Sequence, residues 1–209
     1  MTKTLIEKFM PRTKEQNELI KRQRDSQILN SALYLFSMKG FDGVTLDELS
    51  IASNCSHGLI YHYYSDKKEL YNAVIKKVIK PMIDNLVLHF DYSQSAKQVM
   101  IDILDSYLKA LKSPNDEYAW AINLILNVRL ESEYKFMSAV KETSERIYQF
   151  MFNTIERGKT EGDFNKNRDS REQVISIVSI MKGLSYTRMR VGYRKFICPD
   201  VDILMGMLY

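Results

Sequence analysis

Residues 45–67 read TLDELSIASNCSHGLIYHYYSDK. Two short helical stretches meet there across a break. Thr45, followed three residues on by Glu48, makes a capping box for a helix over Leu46, Leu49 and Ala52. The pattern stops at Ser53-Asn54, and a second helix begins near Ser56 with Leu59, Ile60 and Tyr63 on one face. Ser65-Asp66 caps a third helix bearing Leu70, Val74 and Val78, interrupted near Pro81. Upstream, Ile28, Ala32, Leu35 and Phe36 form an apolar stripe that Gly40 closes. Two short helices joined by three or four residues and backed by a preceding helix make a helix-turn-helix. Its second helix enters the DNA major groove, N-terminal end toward the bases.

The composition of residues 53–64 suits that task. They contain no Lys, Arg, Asp or Glu, yet hold two of the chain's three histidines, one of its two cysteines and three tyrosines. A helix that faces a groove must avoid carboxylates, which repel phosphate. Opposite the packing face lie Ser56, His57, Gly58, Tyr61 and His62, all small or able to hydrogen-bond. Between residues 56 and 64 there is no Arg, Gln or Asn, so bidentate base contacts worth about 1–3 kcal/mol each are missing from the helix. Specificity then leans on His and Ser contacts, thymine methyls and DNA shape. A structural zinc site needs four ligands at recognisable spacing, and no second Cys or His pair lies near Cys55, His57 and His62. No metal and no cofactor is expected.

Beyond this segment the chain reads as all-α. Only four prolines and eight glycines punctuate 209 residues, and strand-like alternation is nowhere sustained. Helices are expected at about 95–112, 116–131, 134–158 and 170–191, with a shorter one near 199–208. Lys112-Ser113-Pro114-Asn115 and Glu161-Gly162-Asp163-Phe164 are the clearest connections. Apolar residues at 45% and charged residues at 27% fit a globular protein with a real core. Two distant cysteines, Cys55 and Cys198, point to a reducing, cytoplasmic setting. The opening MTKTLIEKFMPRTKEQ lacks the apolar stretch of a signal peptide, and no window approaches a membrane span. The net charge of +4 sits entirely in residues 1–24, with seven basic and three acidic side chains, and is read either as an arm for a polyanion or as a solvated tail. The expected division is a basic arm over 1–21, a helix-turn-helix head over 22–82 and a larger body over 83–209.

The run from Thr45 to Lys67 resembles the DNA-binding segment of TetR-type repressors. Their pattern is a Thr-capped helix ending in Ile-Ala, a turn of Ala-Gly-Val-Ser, x-Gly-x-x-Tyr-x-Tyr/His-Phe, and a Lys opening the next helix. Thr45, Ser56, Gly58, Tyr61, Tyr63 and Lys67 fall on those positions. Departures are Leu49-Ser50, Ser53-Asn54, Cys55 for Val and Tyr64 for Phe. Asn accepts the left-handed turn conformation and Cys packs as a small hydrophobe. The resemblance implies that Thr45 caps its helix and touches a phosphate, and that Ser56 caps the reading helix near another. It further implies that Gly58 lets the backbone approach the duplex and that Tyr61 and Lys67 reach phosphates. Base contacts by His57 and His62 are inferred from their chemistry alone. Cys55, at a core valine position, is no nucleophile.

More weakly, NTIERGKTEGDF followed by REQVISIVSIMKGL resembles that family's last helix pair. The apolar surface of VISIVSIMKGL covers more than one helix face and needs a second burial partner, its own core or another subunit. The family's four-helix bundle across a two-fold axis implies a homodimer, with Phe150, Thr154, Val174, Ile177, Val178, Met181 and Leu184 as interface candidates. The family also implies a body that encloses an effector, here a hydrophobic or aromatic small molecule. Met100, Tyr107, Trp120, Leu124, Met137 and Tyr148 are the candidates for its pocket, against the plainer reading of ordinary core. YTRMRVGYRKF (186–196), with four basic residues and no acidic one, reads as a solvated helix end or as a contact to an anionic ligand or a partner. The function so implied is a non-enzymatic regulator that binds a double-stranded operator and is released by its effector. The rival is an all-α ligand-binding or catalytic protein without DNA activity, for which no catalytic constellation is present in the sequence.

Overall fold

The computed structural model describes residues 13–82, 84, 93–126 and 138–209. Met137, one of the pocket candidates, lies outside them. Among the described residues every regular element is helical: α1 (Lys14–Lys39), α2 (Leu46–Ser53), α3 (His57–Tyr63), α4 (Lys67–Val74), α5 (Ala96–Lys112), α6 (Glu117–Leu126), α7 (Ser138–Glu161), α8 (Ser170–Val191) and α9 (Val201–Met205). No described helix is long and apolar enough to cross a membrane.

α1 begins earlier than expected. Thr13 and Gln16 form a capping box, so the helix runs unbroken through residue 21, where the arm was expected to end. It stops at Gly40, whose φ of 70° is open to glycine at little cost. α4 continues into a π-helical turn over Ile75–Ile79. Pro81 follows, unable to donate to the carbonyl four residues back and crowding it with its ring, which accounts for the widened turn.

Two apolar cores result. The head core gathers Ile28, Leu33 and Phe36 of α1 with Leu49, Ile60, Leu70, Tyr71 and Val74. Tyr71 meets Phe36 and Phe41 edge-on at 5.0 and 5.4 Å between ring centres. The body core gathers Met100, Leu104 and Tyr107 of α5 with Met151, Ile155, Val174, Ile177 and Leu204. The close approach of α7 to the turn after it depends on Gly158, where an added Cβ would lie 2.2 Å from the Phe164 ring.

α6 stands between the two cores. Ala121, Leu124 and Ile125 belong to the head core, and Trp120 meets Tyr34 of α1 at 5.1 Å. Asn123 donates to the Ser37 carbonyl at 2.6 Å, and Asn30 to Glu117 at 2.8 Å. The six pocket candidates are therefore not one cluster: Met100, Tyr107 and Tyr148 belong to the body core, whereas Trp120 and Leu124 face the head. α6 is shared: Trp120 and Leu124 pack toward α1, while Ala119 and Ile122 pack toward the body core. Three of the interface candidates are buried within the chain itself. Val174 and Ile177 are 0% exposed, and Thr154 is buried with its hydroxyl on the Phe150 carbonyl. A single chain already removes them from water, so a partner has nothing there to cover. Phe150, Val178, Met181 and Leu184 remain half-buried.

The basic stretch 186–196 contains a structural clamp. Arg188, 1% exposed, donates to the carbonyls of Leu111 (2.8 Å) and Ser113 (3.0 Å) and to Asp116 (2.6 Å). A buried guanidinium is tolerable only with its donors satisfied in this way. It fastens the end of α8 to the α5–α6 connection, while Arg190, Arg194 and Lys195 stay exposed.

Candidate nucleic-acid interface

The turn between α2 and α3 is built from local hydrogen bonds. Thr45 accepts the Glu48 N–H while Glu48 takes the Thr45 N–H, closing the capping box. Glu48 also pairs with Lys39, and that bond first, then the Thr45 N–H, holds its carboxyl down at about 2. Asn54 takes the left-handed conformation (φ 48°, ψ 44°), the only positive φ at a non-glycine among the described residues. Ser53 and Ser50, where the resembled pattern has alanine, donate to the carbonyls of Leu49 and Cys55 and so leave no buried hydroxyl unsatisfied. Cys55 is core, its sulfur 3.3 Å from the Ser53 carbonyl.

Ser56 caps α3 by accepting the Leu59 N–H at 3.2 Å. Ile60 is buried, with Leu59 and Tyr63 packed beside it. Ser56, His57, Gly58, Tyr61 and His62 are exposed, as their spacing predicts, and Tyr61 keeps 48% of its surface. Gly58 has nothing within 4 Å of where a Cβ would stand. Its lack of a side chain therefore answers no packing need within the chain.

Other expected contacts are engaged inside the protein. The Tyr63 hydroxyl donates to the Lys21 carbonyl at 3.3 Å, drawing the exposed start of α1 alongside α3. The Lys67 ammonium donates to the carbonyls of Phe41 and Val44, both at 2.9 Å, and lies 4.4 Å from the Phe41 ring centre. It thereby holds the α1–α2 loop. Tyr64 donates to Asp25, and Lys77 reaches the same carboxylate at 3.0 Å. Burial first, then the Asp25 bond, pushes the Tyr64 hydroxyl far above its usual range. This bond accounts for a tyrosine where the resembled pattern has phenylalanine. Sequence reasoning missed Asp25, since nothing local marks a partner 39 residues away. It also missed Asp47, whose carboxylate lies 2.9 Å from His57 Nε2. Among the described residues no three His, Cys, Asp or Glu side chains gather as a metal site.

A capped three-helix head with a solvent-facing, carboxylate-free second helix defines a helix-turn-helix protein. Residues 28–74 match the family model described as "Bacterial regulatory proteins, tetR family". That segment, from the middle of α1 to the end of α4, is therefore similar to the DNA-binding segment of the TetR family. It is 30% identical over 90 residues to the biofilm operon icaADBC HTH-type negative transcriptional regulator IcaR of Staphylococcus epidermidis, covering 40% of this chain and 49% of IcaR. The match thus spans about half the length of that relative. The HTH-type transcriptional regulator SrpR of Pseudomonas putida is 22% identical over 169 residues, 81% of this chain and 75% of SrpR. The fold is that of AibR, solved in complex with isovaleryl coenzyme A and operator DNA, with a TM-score of 0.67 at 14% identity over 88% of this chain and 96% of AibR.

Proposed function

We propose that this protein is a transcriptional regulator that binds a (pseudo)palindromic operator as a homodimer, a repressor released by a small hydrophobic effector. The observation that carries the reading is the exposed face of α3, uncharged and bearing a glycine that intrachain packing does not require. The helix-turn-helix names of IcaR and SrpR and the operator complex of AibR support it. In this reading residues 22–82 form the DNA-binding head and 83–209 the effector-binding and dimerisation body. Thr45, Ser56, Gly58 and Tyr61 approach phosphates, and His57 and His62 face base edges. Lys67 spends two of its three donors on the α1–α2 loop, so its main contribution is to fix α2 and α3 in register. The protein acts in the cytoplasm and performs no catalysis.

The two-fold interface lies on the outer side of α7 and α8. Phe150, Val178, Met181 and Leu184 contribute, joined by Ile175 (59% exposed) and Tyr186 on the open side of α8. The effector enters the body near Met100, Tyr107 and Tyr148; the isovaleryl coenzyme A in AibR supports an acyl-bearing or similarly apolar ligand. Linkage supplies the mechanism: an effector that fits one arrangement of the heads lowers DNA affinity by the factor by which DNA lowers effector affinity, a coupling of about 1–3 kcal/mol in typical cases. The route runs through α6 as well as through the π-helical turn before Pro81.

Footprinting on the DNA upstream of the protein's own gene tests this. A protected site with half-sites about 34–36 Å apart is expected. Protection that follows salt but ignores sequence would point to a nucleoid-type binder. No protection at low salt would favour the all-α protein without DNA activity.

A further inference from the structure

Asp47 lies in the first turn of α2 and His57 opens α3, so the two N-terminal ends meet on the exposed side of the head. Asp47 Oδ1 is 2.9 Å from His57 Nε2, with side chains 80% and 46% exposed. Neither residue belongs to the head core. A carboxylate on a surface turned toward phosphate is unfavourable unless it is partnered, and here its partner is the imidazole at the start of the reading helix. A carboxylate at this distance draws the ring toward it and favours a proton on Nε2, the arrangement in which Nδ1 of a neutral imidazole is left as an acceptor. In the major groove the base groups able to donate to an acceptor are the exocyclic amines of adenine and cytosine.

We propose that Asp47 is a positioning residue that orients His57, and that His57 Nδ1 thereby reads an adenine or cytosine amine at one position of each half-site. The inference rests on the DNA-binding function proposed above. It places base specificity on a pair contributed by both helices of the motif. α3 by itself offers no Arg, Gln or Asn for the purpose.

Selection from a random double-stranded oligonucleotide library, with the full-length chain and sequencing of the bound pool, is the test. The wild type should enrich a motif with A or C at one position per half-site. His57→Ala and Asp47→Ala should each lower the preference at that same position by about five- to tenfold and leave the others unchanged. Asp47→Asn, which retains an oxygen acceptor for Nε2–H, should keep most of it. Both sites are exposed, so thermal unfolding of each variant should stay near wild type. The proposal is overturned if Asp47→Ala leaves the preference intact, or if the two alanine variants relax different positions. It is equally overturned if His57→Ala weakens binding evenly across sequences, the mark of a phosphate contact. A wild-type chain that enriches no motif removes the DNA-binding reading and the inference with it.

Discussion

The head and the body are both packed helical cores, yet they are closed by different means. In the head, the helix starts and the α2–α3 turn are closed by side chains within five positions of their partners: Thr45 with Glu48, Ser50 with Cys55, Ser53 with Leu49, Ser56 with Leu59, Asp66 with Glu69. In the body, the defining polar bonds span the sequence. The Tyr107 hydroxyl lies 2.5 Å from the Met181 carbonyl and 3.0 Å from Ser185, and Arg188 reaches back to Leu111, Ser113 and Asp116. Burial pushes the Tyr107 hydroxyl well above the ordinary tyrosine range. Turns closed locally hold the shape of the α2–α3 surface, while α6 completes the core behind it. A body closed by distant contacts is free to change its interior.

Phe36→Ala opens the ring cluster with Phe41 and Tyr71 and should cost about 3–5 kcal/mol in denaturant unfolding. Because α6 contributes to the head core, head and body should still unfold in one transition. Two separate transitions would sever the cores and defeat the role given to α6. Arg188→Met removes the body's clamp and leaves two carbonyls without their donor. The loss should be about 2–3 kcal/mol, reduced because the half-exposed Asp116 regains water. A negligible change would mean that the α5–α6 connection holds without α8.

Much of the head was legible in the sequence because its determinants are short-range. The caps at Thr45, Ser56 and Asp66, the turn at Asn54 and the stop at Gly40 each follow from a residue's own geometry or from a neighbour a turn away. One body helix was legible for the same reason: residues 170–191 are helical as expected, capped by Asp169, whereas the helix expected to end at about 158 runs on to Glu161. What faces what was not legible. Trp120 and Leu124 sit on an apolar stripe that periodicity reveals, but periodicity does not say which neighbour takes it, and α1 did. Val174 and Ile177 failed as interface candidates because an apolar helix face looks alike whether a core or a partner buries it. Arg188 read as part of a solvated basic run, since its carbonyl partners carry no sequence signature.

Smaller effects probe the long-range polar tie that Asp25 makes between α1, the end of α3 and the π-helical turn. Tyr64→Phe deletes the bond to Asp25 while Lys77 keeps its pair, at a cost of about 1 kcal/mol by thermal or denaturant unfolding. A loss above about 3 kcal/mol would mean that Lys77 cannot hold Asp25 alone. The smallest effect is a pH dependence. Glu48's carboxyl is held down at about 2 in the folded chain. Its contribution is therefore complete above the unfolded value, about 4.3, and is lost as pH falls from there toward about 2. Melting curves compared above and below that window should show Glu48→Gln less acid-sensitive than wild type. Identical acid profiles would remove Glu48 from the balance.

Gly58→Leu is the most direct test of whether α3 lies against a duplex. Within the chain the added side chain meets open space, and leucine favours a helix over glycine by somewhat less than about 1 kcal/mol. The variant should unfold at the same temperature as wild type or slightly higher, yet bind the footprinted DNA at least about tenfold more weakly, a loss of about 1.4 kcal/mol. Unchanged DNA affinity in that equally stable variant would contradict the placement of α3 in the groove.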